Sequence, residues 1–181
     1  MLKFFFTIII AFMAMSVSAN VIITGTRVIY PSNQKNVSVQ LTNAGTNPSL
    51  VQAWIDNGDP KASPPKPKDQ NQNYLQISLR SRIKLFFRPV ELTISPSDAY
   101  SQVKWRGQGK QLFVDNPTPY YITYPEVKIG TAETLSANMI APFSQATFQL
   151  NKPIPAKATT VTWTVINDYG ATPSGTSAMQ Y

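Results

Sequence analysis

Positively charged side chains recur through one stretch of the sequence, residues 74–89 (YLQISLRSRIKLFFRP), which contains no Asp or Glu. Its four cations are Arg80, Arg82, Lys84 and Arg88. Guanidinium and ammonium groups bind anions through charge-assisted hydrogen bonds, so such a row can hold an acidic partner. Long charged side chains also cover ordinary solvent-exposed surfaces, and the row taken alone is typical of that as well.

Apolar side chains alternate with these cations along the same stretch, and only Phe86 interrupts the polar row; the alternating residues are Leu75, Ile77, Leu79, Ile83, Leu85 and Phe87. A period of two predicts a β-strand, because successive side chains of a strand point to opposite faces. The strand would run roughly 40 Å at about 3.3 Å per residue, whereas strands usually have about 5–6 residues. Two interpretations stay open. The stretch is either a core strand with a basic solvent face, or an apolar row offered to another chain beside a basic row that binds an acidic group.

The composition argues against catalysis. The 181 residues include no His and no Cys, which removes the commonest general base, the commonest metal ligand and any disulfide. The nine Asp and Glu residues are scattered, and their spacing repeats no known metal-ligand pattern. We therefore expect a protein that is not an enzyme and that uses no metal or cofactor.

The N-terminus has the pattern of an export signal. A short start with Lys3 precedes an apolar run at residues 4–15, which only Thr7 interrupts, and the small or neutral residues 16–19 follow. This pattern predicts a secretory signal peptide, residues 1–19, cleaved after Ala19. The run is shorter than the roughly 20 residues that span a bilayer. The formal net charge of +7 would suit a nucleic acid, but the predicted export argues against one, so we predict no nucleic-acid partner.

The composition also predicts an all-β fold. Fifteen Pro, eight Tyr and three Trp are typical of short strands joined by frequent turns. Before the long strand, the residue pattern predicts strands at residues 20–23, 26–31, 35–42 and 50–55, and after it at residues 103–106, 111–116, 122–129, 146–150 and 159–166. Residues 135–140 are the one place where a helical turn is expected.

The first half offers too few strands for a complete sandwich. Residues 60–73 contain four prolines and no apolar residue larger than Ala, which predicts a linker and not a strand. About four strands are therefore predicted before residue 90, whereas an immunoglobulin-like sandwich needs about seven. A domain that small buries only a small core, so we expect marginal stability.

Five segments of the chain, in this order, resemble the periplasmic chaperones of pilus assembly by the chaperone–usher pathway. They are TRVIYP (26–31), SRIKLFFRP (81–89), NPTPYYIT (116–123), MIAPFS (139–144) and INDYGA (166–171). The resemblance implies two immunoglobulin-like β-sandwich domains set at an angle with a cleft between them, at residues 20–90 and 91–181. The first domain would lack about three strands.

The resemblance also implies a function. In the family, the last strand of the first domain completes an incomplete pilus subunit, which is donor-strand complementation. Leu75, Ile77 and Leu79 would fill the groove of the subunit. Arg27 and Lys84 match the cleft pair that holds the C-terminal carboxylate of the subunit. The partners that the resemblance implies are pilus subunits and the outer-membrane usher.

A second pair of residues resembles a family feature. Arg88 and Asp168 match the interdomain salt bridge that sets the angle between the domains. Taken alone, Asp168 would equally suit the cap of a turn. On strict alternation, Lys84 lies on the face opposite Leu79, so a bulge or twist would be needed to bring both to one subunit.

The chain departs from the family pattern where residues 57–60 run almost directly into residues 63–69. In the family about three strands lie between these segments, including the neighbour of the lending strand and an acidic partner of Arg88 and Asp168. An internal deletion accounts for the gap. It leaves two alternatives to an active chaperone: an inactive remnant and, less favoured, a pilus structural subunit, which usually carries a disulfide. A lending strand without its neighbour also predicts self-association through the exposed strand.

Overall fold

The computed structural model describes residues 21–46, 48–59, 80–136 and 138–180. The chain divides into two compact units, residues 1–24 with 39–82 and residues 25–38 with 83–181. The described helix is α1 Pro96–Gln102, and the strands are β1 Val21–Ile23, β2 Arg27–Pro31, β3 Leu41–Asn43, β4 Lys84–Arg88, β5 Lys104–Gln108, β6 Gln111–Asn116, β7 Ile122–Tyr124, β8 Glu126–Ile129, β9 Ala132–Glu133, β10 Asn138–Ile140, β11 Ser144–Gln149, β12 Thr160–Thr164 and β13 Ser174–Gln180.

Two parts of the prediction lie outside the described residues. They are the signal peptide, residues 1–19, and the groove-filling residues Leu75, Ile77 and Leu79. Both stay predictions, as does the domain boundary after residue 90.

The first unit contains one antiparallel strand pair in its described part. β1 pairs with β3, with Val21 opposite Asn43. The predicted strand at residues 35–42 is wrong for residues 35–40, and the predicted strand at 50–55 is wrong over its whole length. A strand needs a neighbour for its backbone groups and a layer over its apolar face. Val39 and Ile55 are 44% and 84% exposed, so these faces have no such cover.

β2 and β4 form a two-stranded parallel sheet in the second unit. Their register pairs Arg27 with Lys84 at one end and Pro31 with Arg88 at the other. Within the described residues, the long strand predicted at 74–89 is a strand only over Lys84–Arg88. Residues 80–83 form no strand, because β2 offers a pairing partner only from Arg27 onward.

The larger sheet of the second unit has seven strands in the order β11-β6-β5-β13-β12-β8-β9. β13 joins its two halves: residues 174–178 pair antiparallel with β12, and residues 179–180 pair parallel with β5. A separate antiparallel ribbon is formed by β7 and β10. The strand predicted at 122–129 is split into β7 and β8 at Pro125, which has no N–H to donate to a ladder.

Aromatic side chains form the centre of the second unit's core. Trp105, Tyr124, Phe148 and Trp163 are buried. The Tyr124 ring centroid lies 5.1 Å from that of Trp105, 6.2 Å from that of Phe148 and 6.4 Å from that of Trp163. Edge-on and tilted ring pairs of this kind add about 0.5–1.5 kcal/mol each beyond the burial of their area. These ring contacts therefore pack β5, β11 and β12 against β7.

The helix α1 is absent from the sequence prediction. Its first turn nevertheless carries recognisable signals: the Ser95 side chain accepts a hydrogen bond from Asp98 N, and Pro96 occupies the first helical position, as is favoured at helix starts. The helical turn expected at residues 135–140 is wrong, because Asn138–Ile140 form β10 and pair with β7.

The predicted all-β class is confirmed. Strands dominate the described residues, and α1 with its seven residues is the helix among them. No helix in the described ranges is long and apolar enough to cross a membrane.

Candidate functional site

The register of β2 and β4 brings two cations of the sequence together. Arg27 is the ladder partner of Lys84, and paired residues of neighbouring strands carry their side chains on the same face of the sheet, with strands about 4.8 Å apart. Phe86 and Arg88 follow at every second position and share this face. The two residues predicted to bind a carboxylate are therefore direct neighbours.

Arg88 is neutralised by Asp168. Its guanidinium binds the carboxylate with two hydrogen bonds, Nη1 to Oδ2 and Nη2 to Oδ1, the latter 2.9 Å long. The hydrogen bonds to Asp168 raise the pKa of Arg88 against the opposing effect of burial. The guanidinium also lies over the Tyr120 ring, 5.3 Å from its centroid. The ion pair is thus half-enclosed, with each side chain 23% exposed.

A turn fixes Asp168 in this position. The side-chain oxygen of Asn167 accepts hydrogen bonds from Tyr169 N at 3.0 Å and Ala171 N at 2.9 Å. Gly170 has a φ of +81°, and a Cβ on it would meet Thr26 Oγ1 at 2.9 Å, so glycine is required there on both counts. The backbone N–H groups of the turn donate to Asn167 and not to Asp168. The Asp168 carboxylate can therefore accept the hydrogen bonds of Arg88. The role of this pair in setting an angle between domains stays a prediction.

Arg27 carries a charge that no carboxylate of the described residues pairs with. Its guanidinium lies over the Phe86 ring, 5.4 Å from the centroid, and its Nε is buried without a hydrogen-bond acceptor among the described residues. Burial lowers the pKa of Arg27, and the negative charge of Asp168 opposes this only in part. An anion placed beside Arg27 would therefore be bound favourably.

Lys84, the ladder partner of Arg27, also has no ion pair with a carboxylate of the described residues. Its Nζ donates to Met139 Sδ at 3.3 Å, and a thioether is a weak acceptor. The residue is exposed. Its ammonium group keeps most of its capacity to bind an anion.

A small cavity opens beside these residues. Its walls include Arg27, Phe86, Arg88, Tyr120 and Asp168, and its volume is about 40 Å³. That space accepts a small polar group, since one water molecule needs about 10–15 Å³, and it is far below the roughly 300–1,000 Å³ of small-molecule pockets. No group of three or more potential metal ligands occurs among the described residues. The chemistry available is the binding of a small anionic group next to aromatic rings.

Several contributors to the site were not identified from the sequence. They are Tyr120, which stacks on Arg88, Met139, which accepts from Lys84, Asn167, which holds the Asp168 turn, and Phe86, which stacks on Arg27. Each of the four lies in one of the segments that carry the family resemblance, but no role was predicted for any of them. Tyr120, Met139 and Phe86 are distant in sequence from the cations that they contact.

Two family descriptions match the chain. Residues 98–177 match the Pili assembly chaperone PapD, C-terminal domain. Residues 20–64 and 60–93 match the Pili and flagellar-assembly chaperone, PapD N-terminal domain.

Individual proteins are similar over nearly the whole chain. The chaperone protein HifB of Haemophilus influenzae is 35% identical over 221 residues, which cover 92% of this chain and 91% of HifB. The crystal structure of the YadV chaperone is 34% identical, with a TM-score of 0.71 over 89% of this chain and 100% of that one; YadV is a probable fimbrial chaperone of Escherichia coli strain K12. The structure of the Salmonella enterica SafA pilin in complex with the SafB chaperone, 18% identical over 92% of this chain and 99% of that one, has a TM-score of 0.57 and shares the fold.

These matches also support the internal deletion. The alignment with HifB is 221 positions long, whereas this chain has 181 residues. At least 40 positions of the alignment therefore have no residue in this chain. The match to the N-terminal domain falls into two segments that meet at residues 60–64, within the region where the sequence predicts the deletion. With both domains matched in order and relatives similar over more than nine-tenths of its length, the chain belongs to the PapD family of pilus-assembly chaperones.

Proposed function

We propose that this protein binds and stabilises pilus subunits in the periplasm and delivers them to the outer-membrane usher. It lends residues 75–79 to the incomplete subunit as a β-strand, and it holds the C-terminal carboxylate of the subunit between Arg27 and Lys84. Arg88 and Asp168 form the salt bridge that sets the geometry of the two domains.

The main support for the proposal is that three cations on one face of the β2–β4 sheet differ in whether they are ion-paired. Arg88 is neutralised by Asp168, whereas Arg27 and Lys84, paired in the register, have no carboxylate partner within the described residues. A half-buried, unneutralised guanidinium beside an ammonium group favours a carboxylate from another molecule. The free C-terminus of a bound chain supplies such a carboxylate.

The opposite face of β4 supports the strand-lending part of the proposal. Leu85 and Phe87 point away from Lys84 and are 44% and 62% exposed. The sequence alternation continues this apolar row backward to Leu79, Ile77 and Leu75. An exposed apolar row on a strand is what strand addition to a partner uses, since the backbone supplies hydrogen bonds and alternate side chains fill pockets. Without a partner, the same row would favour self-association.

The relatives support the same partner class. SafB, which shares the fold, has been solved with the SafA pilin bound, and HifB and YadV are described as chaperones. The predicted signal peptide at residues 1–19 agrees with a periplasmic site of action.

The test is co-expression in the periplasm with a pilus subunit of the same bacterium, followed by purification through a tag on the chaperone. Ile77→Asp is expected to abolish recovery of the subunit, because a carboxylate would have to enter an apolar groove. Ser78→Asp makes the same change in charge on the opposite row and is expected to retain the subunit. Equal recovery with both variants would contradict strand lending, and no recovery with the parent protein would indicate an inactive remnant.

A further inference from the structure

The carboxylate of Asp56 holds two arginines of the first unit. Arg82 Nη2 lies 3.1 Å and Arg80 Nη2 lies 3.6 Å from Asp56 Oδ2. The other oxygen, Oδ1, accepts a hydrogen bond from Gly58 N at 2.9 Å. Arg82 also donates to the main-chain oxygen of Asp59. Both carboxylate oxygens are therefore engaged, and one acid joins two separate stretches of the chain.

Trp54 extends this contact. The Arg80 guanidinium lies over the Trp54 ring, 5.4 Å from its centroid. Trp54 and Asp56 are two residues apart, as are Arg80 and Arg82, so the two stretches contact one another side by side through alternate side chains. We call the four residues Trp54, Asp56, Arg80 and Arg82 the Asp56 clamp.

The two stretches that the clamp joins are not paired as β-strands. Neither residues 51–56 nor residues 80–83 form a strand. Val51 and Ile55, which flank the clamp residues, are 47% and 84% exposed, so little apolar burial holds this stretch. The polar and cation–π contacts of the clamp join the two stretches.

The location of the clamp relates it to the proposed function. Arg80 directly follows Leu79, the last residue of the proposed lent strand, and Arg82 is two residues before β4, which begins at Lys84. Asp56 lies just before the predicted deletion, which would have removed the neighbour of the lending strand.

We propose that Asp56 is a positioning residue for subunit binding: by holding Arg80 and Arg82 it fixes the chain between the lent strand and the carboxylate-binding Lys84, in place of the strand neighbour that this chain lacks. The inference rests on the proposed function. It predicts that Asp56 contributes to subunit affinity without touching the subunit.

Asp56 is expected to be ionised at every pH at which the protein functions, so its contacts with the two arginines persist. The hydrogen bond from Gly58 N lowers the pKa of Asp56, and the charges of Arg82 and Arg80 lower it further. The carboxylate is therefore ionised throughout the neutral range. Since the group is accessible to solvent, its contacts are weakened by salt.

The experiment measures the Kd of the purified full-length mature protein for a pilus subunit at low and high salt. Asp56→Asn keeps the acceptor for Gly58 N and removes the charge, and we expect about threefold to fivefold weaker binding at low salt, as for an exposed ion-pair network. The exchange Asp56→Arg with both Arg80→Asp and Arg82→Asp restores opposite charges at both ion pairs and is expected to recover part of the affinity. Glu91→Gln, which removes one exposed carboxylate of the second unit, is the matched control and should bind as the parent does.

Two results would overturn the inference. One is parental affinity in Asp56→Asn; the other is a charge exchange that binds no better than Asp56→Asn, since a merely structural loss would not be rescued by exchanging charges. Lys84→Ala in the same series separates the two proposals. If Lys84→Ala loses the subunit while Asp56→Asn does not, only the clamp is wrong. If neither variant differs from the parent, the proposed function fails with it.

Discussion

Replacing Lys84 or Arg27 by Ala is expected to weaken subunit binding by about 10- to 100-fold while the protein stays folded. Each cation is expected to make a charge-assisted hydrogen bond to the carboxylate, and such a bond is worth about 1.5–3 kcal/mol. Arg27 additionally loses its contact with the Phe86 ring. The measurement is the Kd of the purified variants for a pilus subunit.

Lys104→Ala is the matched control for these two variants. Lys104 is an exposed cation at the start of β5, in the second unit but away from the described cavity beside Arg27. Its loss removes the same charge and should leave the Kd unchanged. An equal weakening in all three variants would show that net positive charge, and not the Arg27–Lys84 pair, attracts the subunit.

Asn116→Ala is expected to lower the free energy of unfolding by about 2–4 kcal/mol, because its side chain is fully buried and makes four hydrogen bonds. The amide nitrogen donates to Tyr120 O and Ala141 O, each at 2.8 Å. The amide oxygen accepts from Thr118 N at 3.1 Å and Thr118 Oγ1 at 2.7 Å. Alanine would remove the side-chain donor to the buried Tyr120 carbonyl and the acceptor of both the N–H and the hydroxyl of Thr118, whereas Ala141 O would keep its hydrogen bond from Ser144 Oγ.

Urea denaturation followed by tryptophan fluorescence measures this loss. Asn151→Ala is the control, since Asn151 is only partly buried and its side chain makes two hydrogen bonds, both to Glu133; a loss of about 1 kcal/mol is expected there. If the two variants were equally stable, Asn116 would not be the residue that ties the loop before β7 to the loop after β10.

The strands of the second unit were largely predictable because their patterns and their partners agree. β6 has the predicted bounds, 111–116, with Leu112 and Val114 on its buried face. β13 was missed because its sequence SGTSAMQ has almost no apolar alternation. Pairing with its neighbours β12 and β5 makes it a strand. Glycine is needed at position 175 because a Cβ there would lie 2.4 Å from the Trp163 ring. Strand formation of this kind depends on tertiary context more than on propensity.

The described residues before position 60 show the opposite failure. Residues 35–40 and 50–55 have strand-like patterns but no strand. A local pattern sets a preference, whereas pairing needs a neighbour, and the predicted deletion removes the segment that would have supplied one. The resemblance indicated both the deletion and the Arg27–Lys84 pair, which the register of β2 and β4 places side by side. The Met139 contact to Lys84 lies in a distant segment and had no local signal in the sequence.

The proposed function depends on the binding of the subunit's C-terminal carboxylate by Arg27 and Lys84. Carboxylate binding is tested by titrating residues 20–181 of the protein with the C-terminal peptide of a pilus subunit, once with a free carboxylate and once with a C-terminal amide. We predict that the amide binds at least about 10-fold more weakly, and that this difference disappears in Lys84→Ala. Equal affinity of the two peptides for the parent protein would contradict carboxylate anchoring, and no binding of either would identify the chain as an inactive member of its family.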